Sequence, residues 1–175
     1  MRLNLGCNQH PQEGYINVDI EPFEGVDVVC NLEEKWPWED NSVEYILAED
    51  IVEHLHEPIH TMNEVYRVLK PGGTAFIQVP STDGKGAFQD PTHVSFWNEH
   101  SFFYYAAHLD KDGIWRRGPM SMLYPSIKAA FQVELAFADG VIEEYNITVP
   151  YVQARLTKVI LGAKGGEHDV AQVPG

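Results

Sequence analysis

Short apolar runs, each ended by a turn-forming residue, dominate the first eighty positions. Leu3-Asn4-Leu5 stops at Gly6, and Tyr15 to Asp19 stops on an acid. Asp27 to Cys30, Val43 to Ala48 and Thr74 to Val79 repeat the pattern, the last closed by Pro80. Runs of this length bounded by turn formers predict five β-strands. The period changes between the fourth and fifth. Ile59, Met62, Tyr66 and Leu69 recur at helical spacing, with Val65 and Val68 widening the stripe. Pro58 suits a first helical turn, where its missing N–H costs nothing. Arg67 and Lys70 fall near the negative end of the helix dipole, and Pro71-Gly72-Gly73 should stop the helix and turn the chain. Strand, helix, turn, strand is a parallel crossover. The connection from Gly6 to Tyr15 is shorter than the roughly ten to twelve residues of a complete crossover. The first helix is therefore expected to be a single turn or absent.

The rhythm breaks over residues 81 to 130. Ser81 to Gly86 is a polar loop, and Phe88 to Tyr105 is dense in aromatics and histidines. Ser126 to Phe131 reads as a short helix. Phe131 to Phe137 and Ile142 to Leu161 alternate like strands, with Asp139-Gly140 as the turn between them. The expected organisation is one domain over residues 1–164, with 81–125 a covering segment, and a frayed polar tail over 165–175.

A length of 175 residues fits one domain with one core. The formal net charge of −14 narrows the partners. Gripping a phosphate backbone requires a basic stripe that displaces counterions, and the closest approach to one is Arg116-Arg117. Neither nucleic acid nor an anionic membrane surface is an expected partner. No apolar run is long enough to span a bilayer and no leader is evident, so a cytoplasmic protein is expected. Cys7 and Cys30 form no CxxC motif and read as buried free thiols.

Three local features carry chemistry. Gly6 follows a strand, where glycine lets a ligand approach the backbone. Asp19 ends the second strand, where an acid can accept hydrogen bonds from both hydroxyls of a ribose. Asn31-Leu32 follows the third strand and pairs a polar with an apolar group, suited to the edge and face of an adenine. Singly each is an ordinary turn feature. Together they mark three successive strand ends along one edge of an open α/β sheet, where ligands bind.

The strings LNLGCN, GYINVDI, NLEEKWPWEDNSVEYILAEDIVEHL and EVYRVLKPGG resemble the class I S-adenosylmethionine-dependent methyltransferases, in particular a small bacterial branch with a GYxNVD second strand. The resemblance implies an α/β, Rossmann-like, seven-stranded, mostly parallel sheet with an antiparallel last strand. Helices on both faces would flank it, the first of them shortened. It implies S-adenosylmethionine as cofactor, held by Gly6, Cys7, Asn8, Asp19, Ile20, Asn31 and Leu32, with Glu49 and Asp50 near the methionine end. It also implies that Glu53 and His54 order the loop after the fourth strand. Two departures stand out. Asn8 occupies a position where the family usually has a second glycine, although Asn tolerates left-handed geometry. The N-terminal helices that often cover the site in the family do not precede the first strand. Cover is expected from residues 81–125 or from another subunit of a homo-oligomer.

Methyl transfer from a sulfonium is an in-line displacement that depends on holding donor and acceptor in line. A base is needed only where the acceptor must lose a proton early. Asp90 and His93, beyond the fifth strand, are the candidate catalytic residues, and a small molecule is the expected acceptor. Phe96, Trp97, Phe102, Phe103 and Tyr104 form an apolar covering or part of the core. His54, His56, His60 and Glu53 invite a metal reading. Pro58 interrupts the helical spacing of His56 and His60, however, and no metal is expected. Two alternatives to the enzyme stand beside it. One is a methyltransferase-fold protein that binds S-adenosylmethionine or a related nucleoside without turnover. The other is a dehydrogenase-type dinucleotide binder, against which the missing GxGxxG counts.

Overall fold

In a computed structural model, residues 1–142 and 147–166 are described. A seven-stranded sheet is built from β1 (Arg2–Leu5), β2 (Ile16–Asp19), β3 (Val28–Val29), β4 (Val43–Glu49), β5 (Leu69–Pro80), β8 (Phe131–Ile142) and β9 (Ile147–Lys158). Its order is β3-β2-β1-β4-β5-β9-β8. The first five strands are parallel, and β9 runs antiparallel to both β5 and β8. This is the expected α/β sheet. Its antiparallel strand is the last in sequence but lies inside the sheet, between β5 and β8. A separate hairpin pairs β6 (Ala107–Leu109) with β7 (Trp115–Arg117).

Central parallel strands bury both faces and therefore read as nearly continuous apolar runs. Leu3, Leu5, Ile46, Ala48, Ala75, Ile77 and Val79 are buried on one face of β1, β4 and β5, and Tyr45, Leu47 and Phe76 on the other face are partly buried. The long helix α1 (Pro58–Val68) lays Met62, Val65 and Val68 into the same core. It ends two residues earlier than Pro71-Gly72-Gly73 suggests, because Leu69 already pairs with Val43. The Pro-Gly-Gly tripeptide then lies within β5 at a shift of register between Val43 and Tyr45. A Cβ on Gly73 would come within 2.9 Å of the Lys70 carbonyl oxygen. Strand pairing needs glycine there more than the helix needs a stop.

No helix joins β1 to β2. Buried Asn17 organises that connection instead. Its Oδ1 accepts from Asn4 Nδ2 at 3.0 Å and from the Gln12 N–H at 2.7 Å, and its Nδ2 donates to the Gln12 carbonyl at 3.2 Å. The asparagine of the GYINVD string is thus a structural strut.

Two local expectations are overturned. Ser126 to Phe131 is not helical. Asn63 on α1 takes its backbone groups: Oδ1 accepts from the N–H groups of Lys128 at 2.7 Å and Ala129 at 3.1 Å, and Nδ2 donates to the Ser126 carbonyl at 2.9 Å. Asp139-Gly140 is no turn either. β8 runs through it, with Asp139 opposite Pro150 and Gly140 opposite Val149. Residues 143–146 of the expected Ile142 to Leu161 strand, and 167–175 of the expected tail, lie outside the described residues.

The segment after β5 carries α2 (Gly86–Gln89), α3 (Glu99–Phe103) and α4 (Pro119–Met122) besides the hairpin. Its aromatics divide. Trp97, Phe102 and Tyr105 are buried in the main core, whereas Phe88, Phe96 and Phe103 are exposed, with the Phe88 and Phe96 rings stacked 5.1 Å apart. No helix among the described residues is long and apolar enough to cross a membrane.

Candidate active site

The strand order reverses between β1 and β4, and in open α/β sheets ligands bind outside the strand ends at such a point. A cleft of ≈ 380 Å³ opens there, walled by Gly6, Asp19, Ile20, Asn31, Leu32 and Ile51 on the sheet edge and by His54 to His56 on the far side. Gly6 has φ +65°, and a Cβ would sit 2.6 Å from the Ile51 side chain. The turn after β1 therefore requires glycine for conformation and for space. Asn8 is also left-handed, with φ +46°. The turn survives without a second glycine, as its sequence suggested, and the Asn8 N–H donates to Asp19 Oδ2 at 2.8 Å. The Glu21 N–H donates to Asp19 Oδ1 at 3.0 Å. These two bonds fix the carboxylate at the end of β2. Each oxygen keeps a lone pair for a further donor. Asn31 Oδ1 accepts from the Glu33 N–H at 3.0 Å, and Leu32 is buried.

Cys7 continues the β1 ladder, its N–H donating to the Val18 carbonyl at 3.1 Å, and its side chain is buried. Burial and the Asp19 charge push its thiol up, and burial does the same for Cys30. Neither is a thiolate nucleophile.

Beside this cleft lies a second cavity of ≈ 240 Å³, and His54 lines both. Asp50 from the end of β4, Asp90 and His93 from the covering segment, and Tyr151 from β9 converge on it. The sequence-derived acid and histidine are thus brought together with Asp50. Glu49 is not among the residues lining either cavity. Asp90 Oδ1 accepts from the Thr92 N–H at 2.8 Å and the Thr92 hydroxyl at 2.6 Å. These bonds hold its carboxyl below the usual range, which makes it a weaker base. Burial beside Asp50 and Glu53 pushes the Tyr151 hydroxyl up to about 12.

The wall between the cavities is a 3₁₀ turn over Val52–His54. Its backbone holds the covering segment: the Glu53 carbonyl accepts from the N–H groups of Val94 at 2.9 Å and Ser95 at 3.0 Å, and the Val52 carbonyl accepts from the Ser95 hydroxyl at 3.0 Å. Glu53 is 2% exposed and neither of its carboxylate oxygens has a hydrogen-bond partner. Burial pushes its carboxyl up to about 8. The sequence reading gives Glu53 and His54 a loop-ordering role and sets aside a metal reading that grouped them with His56 and His60. It had missed Tyr151, which has no local signal and reaches the site because β9 pairs with β5, placing it opposite Pro80. His56 and His60 do not join the site's histidines. His56 pairs with Glu33 at 2.9 Å, and His60 Nε2 meets the Glu34 carbonyl at 2.9 Å.

An open, mostly parallel sheet with a cleft over the strand ends and a fixed acid after β2 is the architecture of doubly wound α/β domains, whose ligands lie at that edge. Comparison narrows the class. Residues 9–77 match the model of a methyltransferase domain. An S-adenosylmethionine-dependent methyltransferase from Archaeoglobus fulgidus superposes with a TM-score of 0.61 at 15% identity, over 90% of this chain and 85% of that one. One from Methanosarcina mazei gives 0.52 at 13%, over 91% and 92%. One from Thermotoga maritima gives 0.53 at 21%, over 90% and 81%. No curated protein matches the chain by sequence. The chain has the fold seen in S-adenosylmethionine-dependent methyltransferases, and residues 9–77 are similar to a methyltransferase domain.

Proposed function

We propose that the protein transfers the methyl group of S-adenosylmethionine to a small-molecule acceptor by in-line displacement. The nucleoside end would occupy the larger cleft and the acceptor the smaller cavity. The observation that carries this reading is the shared His54 wall. A cleft shaped for a nucleoside adjoins a cavity rich in polar groups, so donor and acceptor can meet in line. The residues fit the cofactor. Asp19 keeps free lone pairs for two ribose hydroxyls, Ile20 and Leu32 offer apolar contact, and Asn31 sits beside them at the cleft wall. Gly6, Cys7 and Asn8 supply a backbone turn against which the ligand rests. Bound there, the cofactor supplies an electrophilic methyl carbon. The chain's part is to hold the acceptor against it, with Asp50, Asp90, His93 and Tyr151 as hydrogen-bonding groups. His93 is the candidate to take a proton. Glu49, away from both cavities, has no part in this scheme. Incubating the protein with methyl-labelled S-adenosylmethionine and panels of small acids, sugars, amines and phenols tests the reading. Transfer of label to a class of acceptor supports it. Tight S-adenosylhomocysteine binding with no transfer to any of them favours a binding protein without turnover.

The covering role of residues 81–125 divides along the burial of its aromatics. Amides of 86–93, around exposed Phe88, should exchange more slowly when S-adenosylhomocysteine binds, as covering segments do on closure. Those of Trp97, Phe102 and Tyr105, already packed in the core, should not change. Equal exchange throughout, with and without ligand, would mean that the segment is plain structure. Asn8→Gly should tighten S-adenosylhomocysteine binding a few-fold, since glycine takes the left-handed conformation without strain. Weaker binding by the folded variant would show that the Asn8 side chain makes a favourable contact.

A further inference from the structure

Glu53 poses a physical problem that no residue around it solves. A buried carboxylate needs a cation or several donors, and a buried neutral carboxylic acid still needs an acceptor for its proton. Both Glu53 oxygens lack any partner. The cavity they border contains two further carboxylates, Asp50 and Asp90, and no Lys or Arg among its lining residues.

Two histidines face the same point, and their tautomers are set. His54 Nδ1 lies 3.2 Å from the Thr92 carbonyl oxygen and 3.1 Å from the Thr92 hydroxyl, whose own proton goes to Asp90 Oδ1 at 2.6 Å, and His93 Nδ1 lies 2.9 Å from the Ala87 carbonyl oxygen. A carbonyl only accepts, so each Nδ1 carries the proton and donates it. Each Nε2 is left with a bare lone pair. A ring nitrogen anchored to a backbone carbonyl, with the other free, is the arrangement that orients metal-binding histidines. The rings stand edge to face with centroids 4.9 Å apart. One ligand atom each from Glu53, His54 and His93 falls within 4.8 Å of the others. Donors at about 2.0–2.2 Å from a zinc-sized ion lie roughly 3.3–3.6 Å apart in tetrahedral geometry, so side-chain shifts of at most about 1.5 Å would close the set.

We infer that Glu53, His54 and His93 form a site for a divalent transition-metal ion in the wall between the two cavities, with its open coordination positions facing the acceptor cavity. Two imidazoles and one carboxylate suit Zn²⁺, Fe²⁺ or Co²⁺ better than Mg²⁺ or Ca²⁺, which prefer all-oxygen sets. The ion gives the buried Glu53 carboxylate a cationic partner and offsets the charge of the carboxylates around it. Its remaining positions take water or an acceptor with oxygen donors, and with His93 bound to the ion the metal's polarisation of that acceptor replaces His93 as the means of removing its proton. That last assignment, and only that one, rests on the function proposed above. The sequence alone had pointed to no metal, because His93 lies thirty-nine positions from His54 and the nearer His56 and His60 turn away.

Chelator-treated protein, free of nucleoside, is titrated calorimetrically with Zn²⁺ and followed by visible spectroscopy with Co²⁺. One ion should bind per chain. Glu53→Gln and His93→Ala should each weaken binding at least about tenfold and alter the Co²⁺ bands, while His100→Ala on the surface leaves both unchanged. Glu53→Gln is nearly isosteric; should it fail to fold, His93→Ala in the covering loop decides. No binding, or equal affinity in wild type and His93→Ala, overturns the site. S-adenosylhomocysteine binding by the chelated protein is measured alongside. Its retention when metal binding fails would sink the metal site alone, and its loss in protein that does bind the ion would count against the cofactor reading alone.

Discussion

Asp19→Ala should lower the affinity for S-adenosylhomocysteine at least about tenfold. The Asp19 carboxylate is held at the end of β2 by the N–H groups of Asn8 and Glu21, with one lone pair on each oxygen left over the cleft. Hydrogen bonds from ribose hydroxyls to a charged acceptor contribute about 1.5–3 kcal/mol each, and 1.4 kcal/mol is a factor of ten. Losing even one meets the expected change; losing both exceeds a hundredfold. The two backbone N–H groups freed by the substitution lie at the exposed rim, where water replaces their partner, so folding should survive. Asp19→Asn separates the contributions. Its amide keeps one acceptor oxygen and should lose less. Calorimetry on folded Asp19→Ala showing wild-type affinity would remove the nucleoside from this cleft.

The second large effect is on stability. Arg67→Ala should destabilise the fold by about 3–5 kcal/mol, the usual cost of removing one partner of a buried pair. The Arg67 guanidinium grips Glu64 with two bonds of 2.7 Å, and also reaches the carbonyls of Trp36 at 3.0 Å and Trp38 at 2.8 Å and the Asp40 carboxylate at 2.8 Å. Glu64 Oε2 accepts in addition from the Trp36 N–H at 2.8 Å. The side chains of Arg67 and Glu64 are 19% and 10% exposed, so solvent does little to replace the lost partner. Through them α1 clamps the segment that leads into β4, with the Trp36 and Trp38 rings edge to face at 6.1 Å. Arg67→Lys should recover only part of the loss, since an ammonium cannot reproduce the fork. Denaturant midpoints at constant slope measure the change; a loss below about 1 kcal/mol, the range of exposed ion pairs, would place the pair among them. Burial works against ionised Glu64, but the Arg67 and Trp36 hydrogen bonds outweigh it and hold the carboxyl below its ordinary value. Its contribution is therefore complete above the unfolded-chain pKa of about 4.3 and fades as pH falls through the lower folded value.

Arg67 shows how a correct element can hide its own role. Helical periodicity placed it in the last turn of α1, where a dipole interaction worth a few tenths of a kcal/mol is the local expectation. Its guanidinium instead ties α1 to residues 36, 38 and 40, which no pattern within the helix announces. Asn17 is similar. The second strand was legible, but the buried strut that replaces the first helix depends on Asn4 and Gln12 coming into reach.

Local chemistry sufficed for the parts that local chemistry controls. Apolar runs cut by turn residues located β1, β2, β4 and the body of β5, because strands inside a covered sheet are mostly apolar, buried Asn4 and Asn17 being tolerated where they pair with each other. A stripe at helical spacing located α1. Gly6, Asp19, Asn31 and Leu32 were identifiable because each ends or follows a strand, and parallel strands bring their ends to one edge. Elements whose conformation depends on a distant partner could not be read this way. Residues 126–131 avoid a helix because Asn63 captures their backbone, and Asp139-Gly140 stays extended because Pro150 and Val149 pair with it. The second cavity draws Asp50, Glu53 and His54 from beyond β4, Asp90 and His93 from the covering segment, and Tyr151 from β9. Their side chains span a hundred positions of sequence. Only the order of the sheet, and the register of β9 on β5, sets them face to face.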